Sequence, residues 1–531
     1  MIRMMDLRKS STYLIILLCI ISILIAGCAD QQQNEDNNIN ENGTQARIVE
    51  IAQTFGPSDS LDPSSRWVGW YVRQAGLYET LFSYDENMEM IPELATGYEA
   101  INDTAWQITL REDVTFHDGT PMTSEAVVYS INRVQNPDNT RSSQYDFIEN
   151  VQALDDYTVL MTTEKPYAPA IASLTDPIVS IVNPETNDLA ASPCGTGPYA
   201  FESFEPGIEL VVNKNDNYWA GQPQLDVAVF NYVSDPVTRS LKLEGGDVQI
   251  ADGIPPAEVA RLDAKDGISM HNEETMRTGF MYVNTRKAPL DDIHVRQAIN
   301  HAIDREQVID AALEGVGGSP AVGVFPSLFS WSANEQLDPY DHNPEKALEM
   351  LAQAGIEDED GDGTLDYAGE PFSLNIKTYA SRPEMKPAAE AMAAQFREIG
   401  IESEAIILES GALSADMSDG NYDLGLYAWG VAPTGDPDYF LSQHFASDSK
   451  YAGWTGYSNE NVDEWLELGR TTMDNDQRLE YYNNVQGEVF EDCPEIFVFY
   501  YRKTVGTSDE IQGFTIYPNE ITFLTENVRL E

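Results

Sequence analysis

The chain has 531 residues, and its 88 acidic residues against 31 basic ones give a formal net charge of −57. A hydrophobic fraction of 42% with 10% aromatic residues excludes a wholly disordered chain and permits a large buried core. The acidity argues against a nucleic-acid partner, since phosphate binding needs clustered lysine and arginine side chains. Four cysteines, two of them within the first 28 residues, are too few for a disulfide scaffold or a zinc cluster.

The first 28 residues are typical of a lipoprotein signal peptide. Arg3, Arg8 and Lys9 precede an almost unbroken apolar run over residues 13–26, which is short for a transmembrane helix. The run ends in Ile25-Ala26-Gly27-Cys28, which resembles a lipobox, where the cysteine becomes the lipid-bearing N-terminus. An uncleaved signal anchor is the alternative. Both place the bulk of the protein at the cell membrane, facing the extracellular or periplasmic side.

Residues 29–46 form a polar, low-complexity segment with almost no apolar residue to bury, so we expect a flexible tether. The segment before Cys28 carries three basic residues and one acidic residue, so cleavage shifts the net charge from −57 to about −59. Such a surface repels itself in dilute salt, and salt at 1 M shortens the Debye length to about 3 Å. We therefore expect a halophilic, salt-loving source. An acidic site for a cationic ligand is the alternative, although the carboxylates are dispersed along the chain.

Beyond residue 46, strand-like and helix-like segments alternate without a linker or an internal repeat. Alternation of apolar and polar residues predicts strands at 47–53, 105–110, 159–163, 210–213 and 497–501. Apolar stripes predict helices at 123–134, 294–313, 345–354 and 384–399. Thr123 is the expected N-cap of the first helix, and Gly355 and Gly400 stop the last two. This mixture indicates an α/β fold.

Several blocks of the chain occur in the order of one protein family. They are Leu77–Leu81 with Ile91–Ala95, Trp106–Gly119, Gly195–Tyr199 with Asn217–Trp219, Val295–Arg305, and Asp436-Pro437 ahead of Phe440-Leu441. Behind a lipobox, these blocks together resemble the family-5 extracellular solute-binding proteins of ABC importers, which take up peptides and nickel. The resemblance covers roughly residues 47–531.

The resemblance implies a two-lobe clamshell of the type II periplasmic-binding-protein class, with an extra subdomain inserted in the first lobe. It assigns residues 47–277 to the first lobe, 278–499 to the second and 500–531 to a return into the first, with hinge crossings near residues 277 and 500. A small-molecule solute would bind between the lobes of a monomer, which would dock on an ABC permease driven by a separate ATPase. The chain has no phosphate-loop, hydrolase or zinc motif, so we expect no enzymatic activity and no catalytic residue.

The segment Trp429–Pro437 bears on the identity of the solute. Peptide binders of the family carry an Asp-Tyr pair here, whose aspartate receives the peptide's α-amino group. The pair is absent, and Asp436 is the candidate substitute. Trp429–Pro437 and Met281–Pro289 are instead similar to the nickel-chelate binders. The resemblance therefore favours nickel or a metal chelate, with a di- or oligopeptide as the alternative.

In the nickel binders, arginines grip a carboxylate-bearing chelator and a histidine ligates the metal. The resemblance assigns the arginine role to Arg141, finds no second arginine at 175–178, and offers Arg66 as the replacement. It assigns the metal-ligand role to His444, displaced by several residues; an ordinary, partly exposed histidine is the alternative. The aromatic residues that would line the pocket, or else pack in the core, are Trp67, Trp70, Tyr71 and Trp429.

The loop Asp358–Asp366 is a second candidate metal site. Its carboxylates recur at every second position around a glycine, the spacing that surrounds Ca²⁺ in an EF-hand loop. Position twelve is Gly369 rather than a glutamate, and no EF-hand helix clearly follows. We expect a structural loop with Ca²⁺ as its candidate ion and no other cofactor. The candidate ligands are Asp358, Asp360, Asp362 and Asp366.

Overall fold

The structure is a computed structural model that describes residues 46–531. The predicted signal peptide, the lipid-bearing Cys28 and all but the last residue of the predicted tether lie outside the described residues. Within residues 46–531, none of the helices combines the length and the apolar character needed to cross a membrane.

Strands and helices alternate along the described residues. The strands are β1 Ile48–Gln53, β2 Phe82–Tyr84, β3 Met90–Pro92, β4 Ala95–Asn102, β5 Ala105–Leu110, β6 Ile148–Asp155, β7 Thr158–Thr163, β8 Tyr199–Glu205, β9 Glu209–Lys214, β10 Val227–Tyr232, β11 Ile250–Asp252, β12 Ile268–Val283, β13 Gly318–Pro320, β14 Asp366–Tyr367, β15 Glu370–Pro371, β16 Ile376–Tyr379, β17 Ala405–Leu408, β18 Leu424–Gly430, β19 Glu495–Ser508, β20 Ile511–Gln512 and β21 Arg529–Leu530. The helices are α1 Val68–Gln74, α2 Ser124–Val134, α3 Pro236–Gly245, α4 Pro256–Asp263, α5 Ile293–His301, α6 Arg305–Leu313, α7 Pro344–Gln353, α8 Met385–Glu398, α9 Ser410–Asp419, α10 Asp438–Phe445, α11 Lys450–Thr455, α12 Glu460–Thr471 and α13 Asn475–Asp492. Short 3₁₀ turns lie at Ser142–Tyr145, Ala168–Ala170, Ala172–Thr175, Pro177–Val179 and Asn334–Gln336.

One large mixed sheet passes through both lobes. Its strands are ordered β17-β16-β18-β12-β19-β11-β1-β10-β9-β8, with β13 also paired to β19. The long strands β12 and β19 run antiparallel, from the Ile268–Ser508 pair at one end to the Tyr282–Glu495 pair at the other. They therefore join a first lobe, built on β1 and β8–β11, to a second lobe, built on β16–β18.

An extra subdomain belongs to the first lobe. Its four-stranded antiparallel sheet has the order β4-β5-β7-β6. Helix α2 buries Ala126, Val127, Ile131 and Val134 in a hydrophobic core that is separate from the cores of the large sheet. The predicted two-lobe α/β fold with an inserted subdomain is confirmed.

The pairing of β12 with β19 is interrupted where the chain passes between the lobes. The register shifts between Glu274 and Thr278, opposite Arg502 and Tyr500. On one side of the shift β19 also pairs with β11, and on the other side β12 also pairs with β18. The crossings expected near residues 277 and 500 coincide with this shift, and the lobe boundaries drawn from them stay predictions.

Most of the predicted elements lie within two residues of their expected bounds, with two differences. The helix predicted at 294–313 is two helices, because Asp304 starts a new one by accepting a hydrogen bond from the Gln307 N–H. The strand predicted at 497–501 is only the middle of β19, which extends into both lobes.

Candidate functional site

A pocket of about 330 Å³ lies between the lobes, beside the long strand β12. One wall is a single face of α1 and its N-cap, because residues spaced three, four and seven positions apart project from the same side of a helix. These residues are Trp67, Trp70, Tyr71 and Gln74. The opposite wall comes from Ala428–Gly430 at the end of β18, Pro433 in the loop beyond it and Tyr439 in the first turn of α10. We call this space the aromatic pocket.

The indole rings of the aromatic pocket offer stacking surface to a solute. Trp67 and Trp70 meet edge to face, with their ring centroids 6.3 Å apart. Trp67 is 45% exposed, so much of its ring is open to the cleft. The Arg141 guanidinium lies 4.3 Å from the centroid of the same ring and supports it. Trp67, Trp70, Tyr71 and Trp429, the four aromatic residues expected from the sequence, thus line one space.

Two arginines line the aromatic pocket, and they differ in how far their charges are compensated. Arg277 donates hydrogen bonds from Nε and Nη2 to Glu520 Oε2, at 3.1 and 2.6 Å. Within residues 46–531, the Arg382 guanidinium donates no hydrogen bond, and its ion pair with Glu384 spans 3.5 Å. The N–H groups of Arg382 are therefore available to a carboxylate of the solute.

Arg141 and Arg66, the arginines expected from the sequence, do not line the aromatic pocket. Arg141 is buried in an ion pair with Asp176, an acid in the segment where a second arginine is expected. This pairing compensates the charge of Arg141 and holds the guanidinium against Trp67. The Arg66 side chain is 70% exposed and lies 3.8 Å from Asp59, in a shallow groove that Arg133 also lines.

His444 lies in the core of the second lobe rather than in the aromatic pocket. Its side chain is 1% exposed, and its Nδ1 lies 2.8 Å from Glu495 Oε1. Phe440 stacks on the imidazole with a centroid distance of 3.6 Å. The rings of Trp429 and Tyr451, which line the cleft, pack against it. In this structure, His444 packs behind the wall of the cleft and lines neither the aromatic pocket nor the cavity next to it.

A larger cavity of about 820 Å³ adjoins the aromatic pocket, and Tyr439 belongs to both walls. We call it the polar cavity. Its charged lining residues are the acids Asp146, Glu164, Asp176, Asp436, Asp438 and Glu467, and the bases Lys165, Lys450 and Arg470. Four of the acids are held in ion pairs, Asp176 with Arg141, Asp436 with Arg478, and both Asp438 and Glu467 with Arg470.

Asp436, the candidate partner of a peptide amino group, is already occupied. Both of its carboxylate oxygens accept hydrogen bonds from Arg478 Nη2, at 2.9 and 2.8 Å. Burial raises the pKa of Asp436, and the positive charge of Arg478 opposes that shift. A solute amino group would have to displace Arg478 to reach this carboxylate.

The family model described as "Bacterial extracellular solute-binding proteins, family 5 Middle" matches residues 89–452, which is more than half of the chain. This chain belongs to the family-5 extracellular solute-binding proteins. The family expected from the sequence is thereby confirmed.

The relatives of this solute-binding protein differ in the solutes that their names give. The glutathione-binding protein GsiB of Pectobacterium atrosepticum is 27% identical over 497 residues, covering 89% of this chain and 92% of its own length. The dipeptide-binding protein of Escherichia coli K12 is 26% identical, with coverages of 81% and 84%. The crystal structure of a nickel ABC transporter from Bacillus halodurans is 28% identical, covers 91% of this chain and 99% of its own, and superposes with a TM-score of 0.77.

Membership of the family fixes the class of function. This solute-binding protein works on the periplasmic or extracellular side, where it binds a small solute and delivers it to the permease of an ABC importer. Family-5 solute-binding proteins are transport proteins and not enzymes.

The Asp358 loop of this solute-binding protein lines neither the aromatic pocket nor the polar cavity. Carboxylate oxygens of Asp358, Asp360 and Asp366 lie within 4.8 Å of one another, and Asp362 is not part of this group. Three carboxylates at that separation suit a hard cation such as Ca²⁺. Occupancy of the loop by Ca²⁺ stays a prediction.

Sequence analysis of this solute-binding protein missed Arg277, Arg382 and Tyr439. Arg382 stands alone in a turn before α8, and Arg277 lies in the middle of β12. Neither belongs to a motif whose spacing indicates binding. Tyr439 follows the Asp436-Pro437 block, and that proximity was the only local sign that it lines the cleft.

Proposed function

We propose that this protein captures a short peptide and delivers it to the permease of an ABC importer. The observation that carries the proposal is an arginine-bearing aromatic pocket that shares Tyr439 with a larger polar cavity. The terminal carboxylate of the peptide pairs with Arg382 and lies against the indole wall. The rest of the peptide extends past Tyr439 into the polar cavity.

The size and the mixed charges of the polar cavity favour a solute made of several amino-acid residues. Apart from its four paired acids and Arg470, it is lined by acids and bases together, namely Asp146, Glu164, Lys165 and Lys450. Charges of both signs accommodate an amino group and side chains of varied character. A compact chelate would fill only the aromatic pocket and leave this space unused.

A metal chelate is the second candidate, and the composition of the aromatic pocket favours it. Among the described residues that line this pocket there is no His, Cys, Asp or Glu. A metal ion in this pocket would therefore be held by its chelator alone, with Arg382 paired to a chelator carboxylate. Such a mode of binding does not require His444.

We also propose that a lipid on Cys28 tethers the protein to the membrane. The lipobox-like sequence Ile25–Cys28 and the polar segment 29–46 behind it support this arrangement. A tether of this kind keeps the two lobes close to the permease that they supply.

Two matched arginine variants test the peptide proposal. Arg382→Gln and Arg66→Gln each remove one positive charge, but only Arg382 lines the aromatic pocket. We expect Arg382→Gln to weaken the binding of alanine peptides by roughly tenfold to a hundredfold, since a hydrogen bond to a charged group contributes about 1.5–3 kcal/mol. Arg66→Gln should bind as the wild type does. Tryptophan fluorescence reports binding, because Trp67, Trp70 and Trp429 surround the pocket.

A parallel titration with Ni²⁺ and histidine separates the two candidate functions. If the protein binds the nickel chelate and no alanine peptide, and Arg382→Gln weakens this binding, the chelate and not the peptide is the solute. Equal peptide affinities of the wild type and Arg382→Gln would contradict the assignment of the carboxylate to Arg382.

A further inference from the structure

The C-terminal segment contacts two residues that line the aromatic pocket, Gln74 and Arg277, through Glu520. The Glu520 backbone has a φ of +62°, in the left-handed region that glutamate rarely adopts. Its carbonyl accepts a hydrogen bond from Gln74 Nε2 at 2.6 Å, and Gln74 belongs to the pocket face of α1. Two residues earlier, the Pro518 carbonyl accepts a hydrogen bond from the Met276 N–H of β12 at 2.8 Å. The segment is therefore fastened both to the first lobe and to a strand that crosses between the lobes.

The Glu520 carboxylate compensates one of the two pocket arginines. It accepts both of the Arg277 hydrogen bonds, and the two side chains are largely buried. Burial raises the pKa of Glu520, but the positive charges of Arg277, Lys503 and Arg382 outweigh it, and the pKa falls to about 2. Glu520 thus keeps its negative charge at any pH near neutrality.

Arg382 is left as the pocket cation without a hydrogen-bonded counter-ion in the described part of the chain. One solute carboxylate can pair with it directly. A second carboxylate on the same end of a solute would have to lie beside Glu520 or displace Glu520 from Arg277. Either arrangement places two negative charges close together in a partly desolvated space, where their repulsion is strong.

We propose that Glu520 sets the number of carboxylates that the aromatic pocket accepts, selecting solutes with one carboxylate at the bound end and rejecting di- and tricarboxylates. This inference rests on the proposed function and narrows its solute class. The single terminal carboxylate of a peptide meets the condition, whereas a citrate-like chelator does not. Specificity then comes from a group that repels the wrong solute as well as from one that attracts the right solute.

Three substitutions isolate the charge of Glu520. Glu520→Gln removes the charge and keeps the size of the side chain. Glu520→Asp keeps the charge, and aspartate tolerates the left-handed backbone better than glutamate does. Glu510→Gln makes the same change in net charge at an exposed position of the C-terminal region. Each purified protein is titrated with di-, tri- and tetra-alanine and with citrate, and tryptophan fluorescence follows binding.

The wild type is expected to bind the alanine peptides more tightly than citrate. In Glu520→Gln, the affinity for citrate relative to that for the peptides should rise by about tenfold or more, which corresponds to about 1.4 kcal/mol. Glu520→Asp and Glu510→Gln should keep the wild-type ratio.

The possible failures are distinguishable. An unchanged ratio in Glu520→Gln, or a wild type that prefers citrate, overturns this inference, and peptide capture survives if Arg382→Gln still weakens peptide binding. A wild type that binds none of the alanine peptides overturns the proposed function and this inference together. If Glu520→Gln does not fold, a wild type that prefers citrate still overturns this inference.

Discussion

His444 and Glu495 form a buried pair directly behind the wall of the solute cleft. Burial lowers the pKa of His444 well below its ordinary value and raises the pKa of Glu495 well above its own. Among the described residues, His444 Nε2 and Glu495 Oε2 have no hydrogen-bond partner, so only the contact between the two side chains offsets the cost of burying their charges. At neutral pH we therefore expect both groups to be uncharged, with the protonated carboxyl donating its hydrogen bond to His444 Nδ1.

Replacing Glu495 with glutamine should flatten the pH dependence of unfolding. Because its folded-state pKa is raised, Glu495 supports the folded state fully below its ordinary pKa of 4.5, and this support is lost as the pH rises. The glutamine amide has no such proton to lose, and it still donates a hydrogen bond to His444. Urea unfolding at a series of pH values above about 5 should show a smaller loss of stability in Glu495→Gln than in the wild type.

Glu510→Gln is the matched control, because it removes an exposed carboxylate. Its stability should follow that of the wild type at every pH. A Glu495→Gln profile parallel to the wild type would mean that Glu495 is ionised in the folded protein, contrary to the neutral pair.

Individual residues also show how far the site could be predicted from the sequence. Trp67 and its neighbours follow a helical spacing, so a local pattern brings them to one face. Arg141 and His444 each meet a buried carboxylate from elsewhere, Asp176 at 35 positions and Glu495 at 51 positions along the chain. A local sequence pattern shows that an arginine or a histidine is present, but it does not show which distant carboxylate will pair with it in the fold. A free charge and a compensated charge therefore look the same before the fold is known.

At the scale of elements, local periodicity predicts a helix or strand well when its surroundings are uniform along its length. Helix α7 buries one face and ends at Gln353, two residues before Gly355, which adopts a φ of +76°, and its bounds were predicted within one residue. Strand β19 pairs with β11 in the first lobe and with β12 across both lobes. Residues 495–501 are all buried, and the apolar pattern stops where the half-buried Arg502 and Lys503 follow, so it does not show that the strand continues to Ser508.

The Asp358 loop is an element for which Ca²⁺ is the expected ligand. A cation that binds only the folded state stabilises it by about 2.7 kcal/mol at a hundredfold excess over Kd, so Ca²⁺ should raise the melting temperature. Asp360→Ala should abolish this shift, since Asp360 belongs to the group of three adjacent carboxylates. Asp362→Ala should retain most of it, since Asp362 lies outside that group. Thermal melts with and without Ca²⁺ measure the effect.

Asp362→Ala also makes the same change in net charge within the same loop, so it controls for loose binding of cations to an acidic protein. Mg²⁺ is the second control, because it demands a stricter octahedral shell and gives up its water reluctantly. Equal shifts with Mg²⁺ and Ca²⁺, or an unchanged Ca²⁺ shift in Asp360→Ala, would contradict a site at this loop.

At the scale of the whole molecule, the negative charge is spread rather than gathered at the solute cleft. With 88 acidic residues against 31 basic ones, one-to-one pairing would leave most carboxylates without a basic partner. The polar cavity is lined by six acids and three bases, a smaller excess of acids than in the whole chain, and the aromatic pocket contains two arginines and no acid among its described lining. The acidity of the chain is therefore a property of its surface as a whole and is not explained by a site for a cationic solute.

A surface of this kind should make the folded protein more stable in salt. Raising NaCl from 0.01 M to 1 M shortens the Debye length from about 30 Å to about 3 Å. Carboxylates repel one another more strongly in the compact state than in the unfolded chain, so screening should raise the melting temperature. The rise should be steepest below about 0.1 M, where the Debye length has already fallen to about 10 Å.

Sucrose is excluded from the protein surface and strengthens hydrophobic burial. If NaCl acted in the same way, the melting temperature should instead keep rising with concentration. Thermal melts in parallel NaCl and sucrose series distinguish the two, and a melting temperature that stays flat as NaCl is added would mean that the surface charges are too far apart to oppose folding.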